Sequence, residues 1–266
     1  MDDLAKFNKA RWEELSSAGI SYTKPWLDLD AEVARSRVDP EQVLGDLRGR
    51  TVLCLAAGGG QQSAAFALLG AQVTVLDISE QQIKRDLETA AHYGFEIKAV
   101  QGDMRDLASL LQGSFDVIWQ AHSLNFVPEV SDMFRQVSLV IRENGRYRLH
   151  FANPFVVGLW LEEWSGRGYP LNREYRDGPL LRRDPHWYFD TGKGERQKVA
   201  APKEFVHTLS KVINSLIANS FRICGVWEDH TGNIKAKPGS WEHLKAVAPP
   251  WLTVVCEYAP AHPLRT

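Results

Sequence analysis

Cysteine is scarce: Cys54, Cys224 and Cys256 are three among 266 residues, far apart and without C-x-x-C spacing. That argues against a disulfide framework and a zinc site, so reduced thiols and no metal are expected. Long apolar runs are missing as well. The most apolar stretch, 155–161, falls far short of the roughly 20 residues that cross a bilayer as a helix, so no membrane partner is expected. The opening segment, MDDLAKFNKARWEEL, is charged and amphipathic; it lacks the basic-then-apolar order of a secretory signal, and a cytoplasmic location is the expectation. Nor does one sign of charge dominate, with 31 Lys plus Arg against 33 Asp plus Glu. Without a positive field, broad nucleic-acid binding is disfavoured. No internal repeat, low-complexity tract or flexible linker divides the chain, and its length suffices to bury a core without staples.

What is present begins with a helical preface over 1–48. Leu4, Phe7, Trp12 and Leu15 recur at near-helical spacing up to Gly19, and Asp39-Pro40 supplies an N-cap and first-turn proline for a short helix ending near Leu47. From Thr51 the rhythm changes. Short apolar runs at 51–56, 72–77, 97–101, 115–120 and 146–151 alternate with helical patterns at 61–69, 79–92, 106–111 and 129–141. Gly70, Gly94, Gly113 and Gly145 follow those helices. Strict alternation of this kind predicts a doubly wound, largely parallel sheet. It breaks after Phe151, where 154–190 holds eight aromatic residues and five arginines and reads as an insertion. An extended arm (198–208), an amphipathic helix (209–219) and two strands (221–227 and 252–258) follow; the last two are expected to pair antiparallel at the sheet edge.

Chemistry gathers at the strand ends. Ala56-Ala57-Gly58-Gly59-Gly60-Gln61-Gln62 joins the first strand to a helix, where glycines let backbone approach a nucleotide-like ligand. Asp77 ends the second strand, where a carboxylate can accept both hydroxyls of a ribose, although it could equally be a helix cap. Asp103 and Met104 end the third, one able to accept from an adenine amino group and the other to pack on the ring. All three ends share one edge of the sheet. A dinucleotide loop, G-x-G-x-x-G, is not matched, because Ser63 stands where the third glycine belongs.

These residues resemble the class I S-adenosylmethionine-dependent methyltransferases, of the small-molecule, methyltransferase type 11/25-like kind. Their first motif reads V-L-D-x-G-x-G-x-G, and this chain has Val52-Leu53-Cys54-Leu55-Ala56-Ala57-Gly58-Gly59-Gly60. The similarity runs through VTVLDIS at 73–79, QGDM at 101–104, FDVIWQAHSLNFV at 115–127 and IRENGRYRLHFANP at 141–154. It implies an α/β fold: a Rossmann-like, doubly wound seven-stranded sheet with an antiparallel terminal hairpin, a helical N-terminal extension and an inserted lid region. It implies S-adenosyl-L-methionine as cofactor and S-adenosyl-L-homocysteine as product. By the same resemblance Asp77 holds the ribose, Ile78 and Met104 sandwich the adenine, Asp103 accepts from its amino group, and Gly58 and Gly60, beside Ala56, allow close approach. Gln120, His122 and Asn125 face the methionine end and the substrate. Two departures stand out: Cys54 replaces the acidic residue that usually helps hold the methionine end, and Ala56 replaces the first glycine, a mild change. Gln61, Gln62 or Ser63, at the start of the following helix, could supply the lost contact.

The expected function is methyl transfer to a small-molecule acceptor by in-line displacement, with His122 as first candidate for a base. His150, His186 and His207 are weaker candidates. Trp160 and Trp164, with Tyr169, Tyr175, Trp187 and Tyr188, are expected to cover the crevice opposite Trp12, Tyr22 and Trp26, or else simply to glue the insertion onto the sheet. A non-catalytic S-adenosyl-ligand-binding protein and an NAD(P)-dependent oxidoreductase are the alternatives. One methyltransferase domain over 1–266 is expected, divided into the extension (1–48), cofactor-binding core (49–153), substrate-side insertion (154–204) and C-terminal helix with edge hairpin (205–266). A homodimer is left open.

Overall fold

The computed structural model describes residues 1–159, 161–171, 173–181, 184–190 and 196–260. The preface holds helix α1 (Asp3–Ser17), whose Asp2 cap accepts from the Ala5 amide and whose chain turns at Gly19 with φ 65°. Helix α2 (Ala31–Val38) follows, capped by Asp30. This corrects the expected helix after Asp39. Asp39 ends α2 instead, its carboxylate takes the amides of Val43 and Leu44, and left-handed backbone at Gln42 and Gly45 keeps the segment irregular.

The core then reads β1 (Thr51–Leu55), α3 (Gln62–Leu68), β2 (Gln72–Asp77), α4 (Glu80–Tyr93), β3 (Lys98–Gln101), β4 (Phe115–Gln120), α5 (Val130–Val140) and β5 (Ile141–Ala152). The helix expected at 106–111 is a pair of turns. Six residues cannot repay helix nucleation, and the Leu107 amide bonds to the Gln136 side chain. Gly145 lies inside β5, and Asn144 takes the left-handed conformation there (φ 61°).

Within and after the insertion come β6 (Gly178–Pro179), β7 (His186–Asp190), β8 (Arg196–Ala200), β9 (Phe205–Val206), α6 (Leu209–Ala218), β10 (Phe221–Glu228), α7 (Trp241–Val247) and β11 (Trp251–Tyr258). Sequence periodicity did not reveal α7. The main sheet has the order β10-β11-β5-β4-β1-β2-β3, and its pairings are parallel except those made by β11. Alternate side chains of β1 serve the two faces: Leu53 and Leu55 pack with α5 and α6, whereas Val52 and Cys54 pack with α2 and α3. β7 and β8 pair antiparallel and lie on α1, where Val199 packs with Leu15, Ile20, Trp12 and Trp187.

The preface is fastened to the sheet by charge. Arg148 of β5 is 4% exposed and meets both oxygens of Glu41 at 3.1 and 2.9 Å, with its guanidinium 5.2 Å from the Trp119 ring centroid. Removing one member of such a pair strands the other charge away from water. Glu41→Ala should therefore lower unfolding free energy by about 3 kcal/mol, and replacing both residues with apolar ones should cost less. Urea denaturation of the two variants checks this ordering, and equal losses would show that the pair is not what holds the segment.

Candidate functional site

The strand order reverses between β1 and β4, each the origin of a crossover to an opposite side, and such a reversal opens a crevice at the carboxyl ends of the strands. The glycine loop lies at this crevice. Ala56 takes φ 47°, Gly59 115° and Gly60 74°, so the residue replacing the family's first glycine sits in left-handed backbone. That conformation disfavours any side chain by roughly 1 kcal/mol, and the change is less mild than the side chain's size implies. A Cβ on Gly58 would come within 2.7 Å of Gln82 and 2.9 Å of Asp77, and one on Gly60 within 2.1 Å of the Thr89 hydroxyl. What approaches Gly60 so closely is therefore helix α4, joined at Gly58 by the Asp77 side chain from the end of β2.

Two buried carboxylates receive the loop amides. Gly58 donates to Asp77 Oδ2 at 3.0 Å, while Gly59 and Gly60 donate to Asp86 Oδ2 and Oδ1 at 2.8 and 3.0 Å. The Ser63 hydroxyl also donates to Asp86, and the Ser79 amide to Asp77. Burial raises the Asp77 carboxyl to about 6 and the Asp86 carboxyl to about 7, against the pull of these donors. Asp86 was missed by the sequence reasoning. Its signal was a carboxylate three residues after Ile83 and four before Ala90, on the inward stripe of an amphipathic helix.

Several expected residues are met differently. Gln61 donates to the Lys24 carbonyl and Gln62 to Gln61, while Ser63 turns to Asp86. Ile78 is half-buried beside Asp77. Asp103 pairs with Arg105, which also grips Asp2 at the start of α1. Gln120 is fully buried with its amide bonded to Tyr147, Ser123 and the Met104 sulfur, so it braces Met104.

His122 lies against Trp251 (ring centroids 4.3 Å) and His150 (6.1 Å), and among the described residues its buried Nδ1 has no partner. Burial, aided by His150, lowers it to about 3, so the imidazole is neutral at physiological pH. Asn125 Nδ2 donates to Glu204 at 3.0 Å, and its buried oxygen has no donor among the described residues.

Preface and insertion meet at this point. Trp12 contacts Tyr22, Phe126 and Trp187 edge-on at centroid distances of 6.3, 5.4 and 6.1 Å. Burial and the nearby Glu204 push the Tyr22 phenol up. Trp26 does not join this cover; its ring lies under Arg37 on the α2 side, although its amide bonds to the Gly60 carbonyl. Trp164 packs on His243 and Tyr169 beside α7, a gluing role. Trp160 lies outside the described residues.

The donor set at the loop discriminates between the two cofactor chemistries. A pyrophosphate needs free amides at the strand-to-helix turn, and here Gly58, Gly59 and Gly60 already serve carboxylates. Two buried acids suit instead a phosphate-free nucleoside that carries positive charge. The same acids set a pH dependence. In the unfolded chain both titrate near 3.8, so the native state holds more protons between about pH 4 and 7, and stability falls as pH rises through 6 and 7. Relative to the parent, Asp86→Asn should thus gain stability between pH 4 and 8, by on the order of a few kcal/mol. Urea unfolding across that range tests this; parallel curves for parent and variant would contradict it.

A family model described as a methyltransferase domain matches residues 53–149. The chain is 34% identical over 248 residues to the uncharacterized methyltransferase YbaJ of Bacillus subtilis, covering 87% of this chain and 93% of that protein. It is 31% identical over 150 residues to a ubiquinone biosynthesis O-methyltransferase of Xanthomonas oryzae pv. oryzae, covering 53% of this chain and 61% of that protein. An S-adenosylmethionine-dependent methyltransferase structure from Mesorhizobium loti matches with TM-score 0.60 at 22% identity, over 87% of this chain and 100% of that one. Geranyl diphosphate C-methyltransferase from Streptomyces coelicolor matches with TM-score 0.59 at 14% identity, over 97% and 98%. Both structural likenesses speak for the fold. Identity at the level of the Bacillus relative, over nearly its whole length and on this sheet topology, makes the chain a member of the class I S-adenosylmethionine-dependent methyltransferases.

Proposed function

We propose that this methyltransferase acts on a small-molecule acceptor that brings a hydroxyl or N–H into the space beneath Trp12, Tyr22, Phe126 and Trp187. The observation carrying this reading is the pair of sealed polar atoms on the segment after β4: His122 Nδ1 and Asn125 Oδ1 lack partners among the described residues. Glu204 accepts from the Asn125 amide nitrogen, which leaves the amide oxygen as an acceptor awaiting a donor. Buried polar groups cost free energy until they are paired, so a ligand hydroxyl or amine is favoured over a purely apolar one.

When bound, the cofactor supplies a methyl group on a sulfonium leaving group. Asp77 accepts the ribose hydroxyls through the lone pairs that its backbone donors, Gly58, Ser79 and Ile78, leave available. Ile78 and Met104 flank the adenine, and Asp103, if it turns from Arg105, accepts from its amino group. The aromatic cover excludes water and fixes the acceptor's approach, which is most of what an in-line displacement needs. His122 orients the acceptor and takes its proton late. An imidazole lowered to about 3 is a weak base, so its contribution falls at the low end of general-base effects.

Among the described residues, the uncharged His122 imidazole and the Asn125 amide offer no positive charge to a diphosphate acceptor, which is therefore the less favoured substrate. The O-methyltransferase name of the Xanthomonas relative supports an oxygen acceptor. The balanced charge of the chain supports a small molecule over a nucleic acid, and we read residues 1–266 as one cytoplasmic catalytic domain.

Thermal unfolding with each ligand tests the cofactor site. S-adenosylmethionine and S-adenosylhomocysteine should raise the transition temperature, and NAD(P)H should leave it unchanged; a shift with NAD(P)H would overturn the assignment of the loop. His122→Ala should keep cofactor binding and lower kcat about 100-fold once an acceptor is in hand. At saturating cofactor, kcat should show no acidic limb between pH 5.5 and 7.5, a range roughly set by an unperturbed histidine. A limb that disappears in His122→Ala would mean that the imidazole titrates near neutrality after all.

A further inference from the structure

The glycine loop presents an anion-binding concavity. Consecutive amides at Gly59 and Gly60, with left-handed backbone at both residues, point to one spot, the arrangement that elsewhere cradles a phosphate or other anion. Here the occupant belongs to the chain. Asp86 is fully buried on the inner face of α4 and takes both amides and the Ser63 hydroxyl, one loop donor on each of its oxygens. Its charge is felt at the fully buried Cys54 thiol, which burial and Asp86 together push well up. Cys54 shares a buried core with Ile83, three residues before Asp86, so the position in β1 where the family carries an acid lies on the side of the sheet that α3 and α4 cover.

We propose that Asp86 supplies, from helix α4, the carboxylate that the first motif lacks at Cys54, and that it holds the glycine loop in the shape that receives the cofactor. It acts as a positioning residue, through the loop amides. The inference rests on the reading that this loop and Asp77 form the cofactor site. It also accounts for the cysteine: residue 54 is fully buried in the core that α4 helps to cover, and a second carboxylate in the same water-free region as Asp86 would add like charge where two acids cannot both ionise without large cost. The acid can stand at either position but not at both.

Binding of S-adenosylhomocysteine by calorimetry, on the full chain at pH 8, tests this. Asp86→Ala should weaken binding at least tenfold while far-UV circular dichroism and a cooperative thermal transition are kept. Cys54→Asp alone should lower the apo transition temperature, and Cys54→Asp with Asp86→Ala should recover most of the affinity. In turnover, the S-adenosylmethionine KM should rise in Asp86→Ala with kcat at saturation nearly unchanged, a split that general loosening of the fold would not give. Should Asp86→Ala not fold, Asp86→Asn and Ser63→Ala take its place, each with a smaller loss of affinity expected. Wild-type affinity in the Asp86 variants, or a double variant no better than Asp86→Ala, would overturn the proposal. Asp77→Ala separates the two readings: if it abolishes binding while Asp86 variants bind normally, only the inference fails, and if it too binds normally, the site assignment fails with it.

Discussion

Three amides, those of Gly58, Gly59 and Gly60, are shut away from water at the end of β1 and must find acceptors; an unpaired buried amide costs about 1–3 kcal/mol. Asp77 and Asp86 answer that need, and much of the surrounding architecture follows. A carboxylate on α4 can reach the loop only if the helix comes close, and that approach leaves no room for a side chain on Gly58 or Gly60. Helix α4 in turn carries Arg85 to the carbonyls of Thr23 and Ser16. The N-terminal extension is thereby drawn over the loop, where Trp26 bonds to Gly60 and Gln61 to Lys24. One demand for hydrogen-bond acceptors thus links the first motif, a helix outside it and the segment that roofs the crevice.

The roof differs in character from the floor. Beneath lie ionisable groups with internal donors; above, Trp12, Tyr22 and Trp187 meet edge to face, as do Trp12 and Phe126, while Phe126 tilts against Trp187. Aromatic contacts of this kind contribute modestly each, about 0.5–1.5 kcal/mol beyond area burial. Such a cover excludes water yet can be parted more readily than a hydrogen-bonded network. It joins α1 to β7, so parting it would separate preface from insertion rather than deform the main sheet.

Much of the fold was legible in the chain. The runs at 72–77 and 115–120 match β2 and β4 residue for residue, because strands covered on both faces are dense in Val, Ile, Leu and aromatic residues between polar or glycine punctuation, even with Thr74 and Asp116 inside them. Local capping rules were less dependable. Asp39-Pro40 has the form of a helix start, yet Asp39 bonds to amides four and five residues onward, a loop that only the packing of α2 against α3 decides. The site was legible in outline, since glycine loop, Asp77 and the His122 segment all reach one crevice. What stayed hidden were long-range partners. Gln120 looked available until Tyr147, 27 positions away, took its amide oxygen, and Asp86 looked like one more polar residue of a helix.

Strand β11 runs against its neighbours, and this has a bearing on how the protein comes into being. Because it is reversed, its first residue, Trp251, arrives at the sheet edge where β4 delivers His122, and the two rings touch. The crevice is therefore walled by side chains from position 12 to position 251, joined by pairings of very long sequence separation. Contacts of that kind form late, since the loop they close must first lose its freedom. As the chain leaves the ribosome, the residues of the glycine loop and its carboxylates, 51–93, are all made early, while the wall behind His122 waits for β11. The two parts of this region are thus separated in time as well as in chemistry: the loop and its acids have their residues early, and the ring contact of His122 with Trp251 becomes possible only when β11 is made, long after β4.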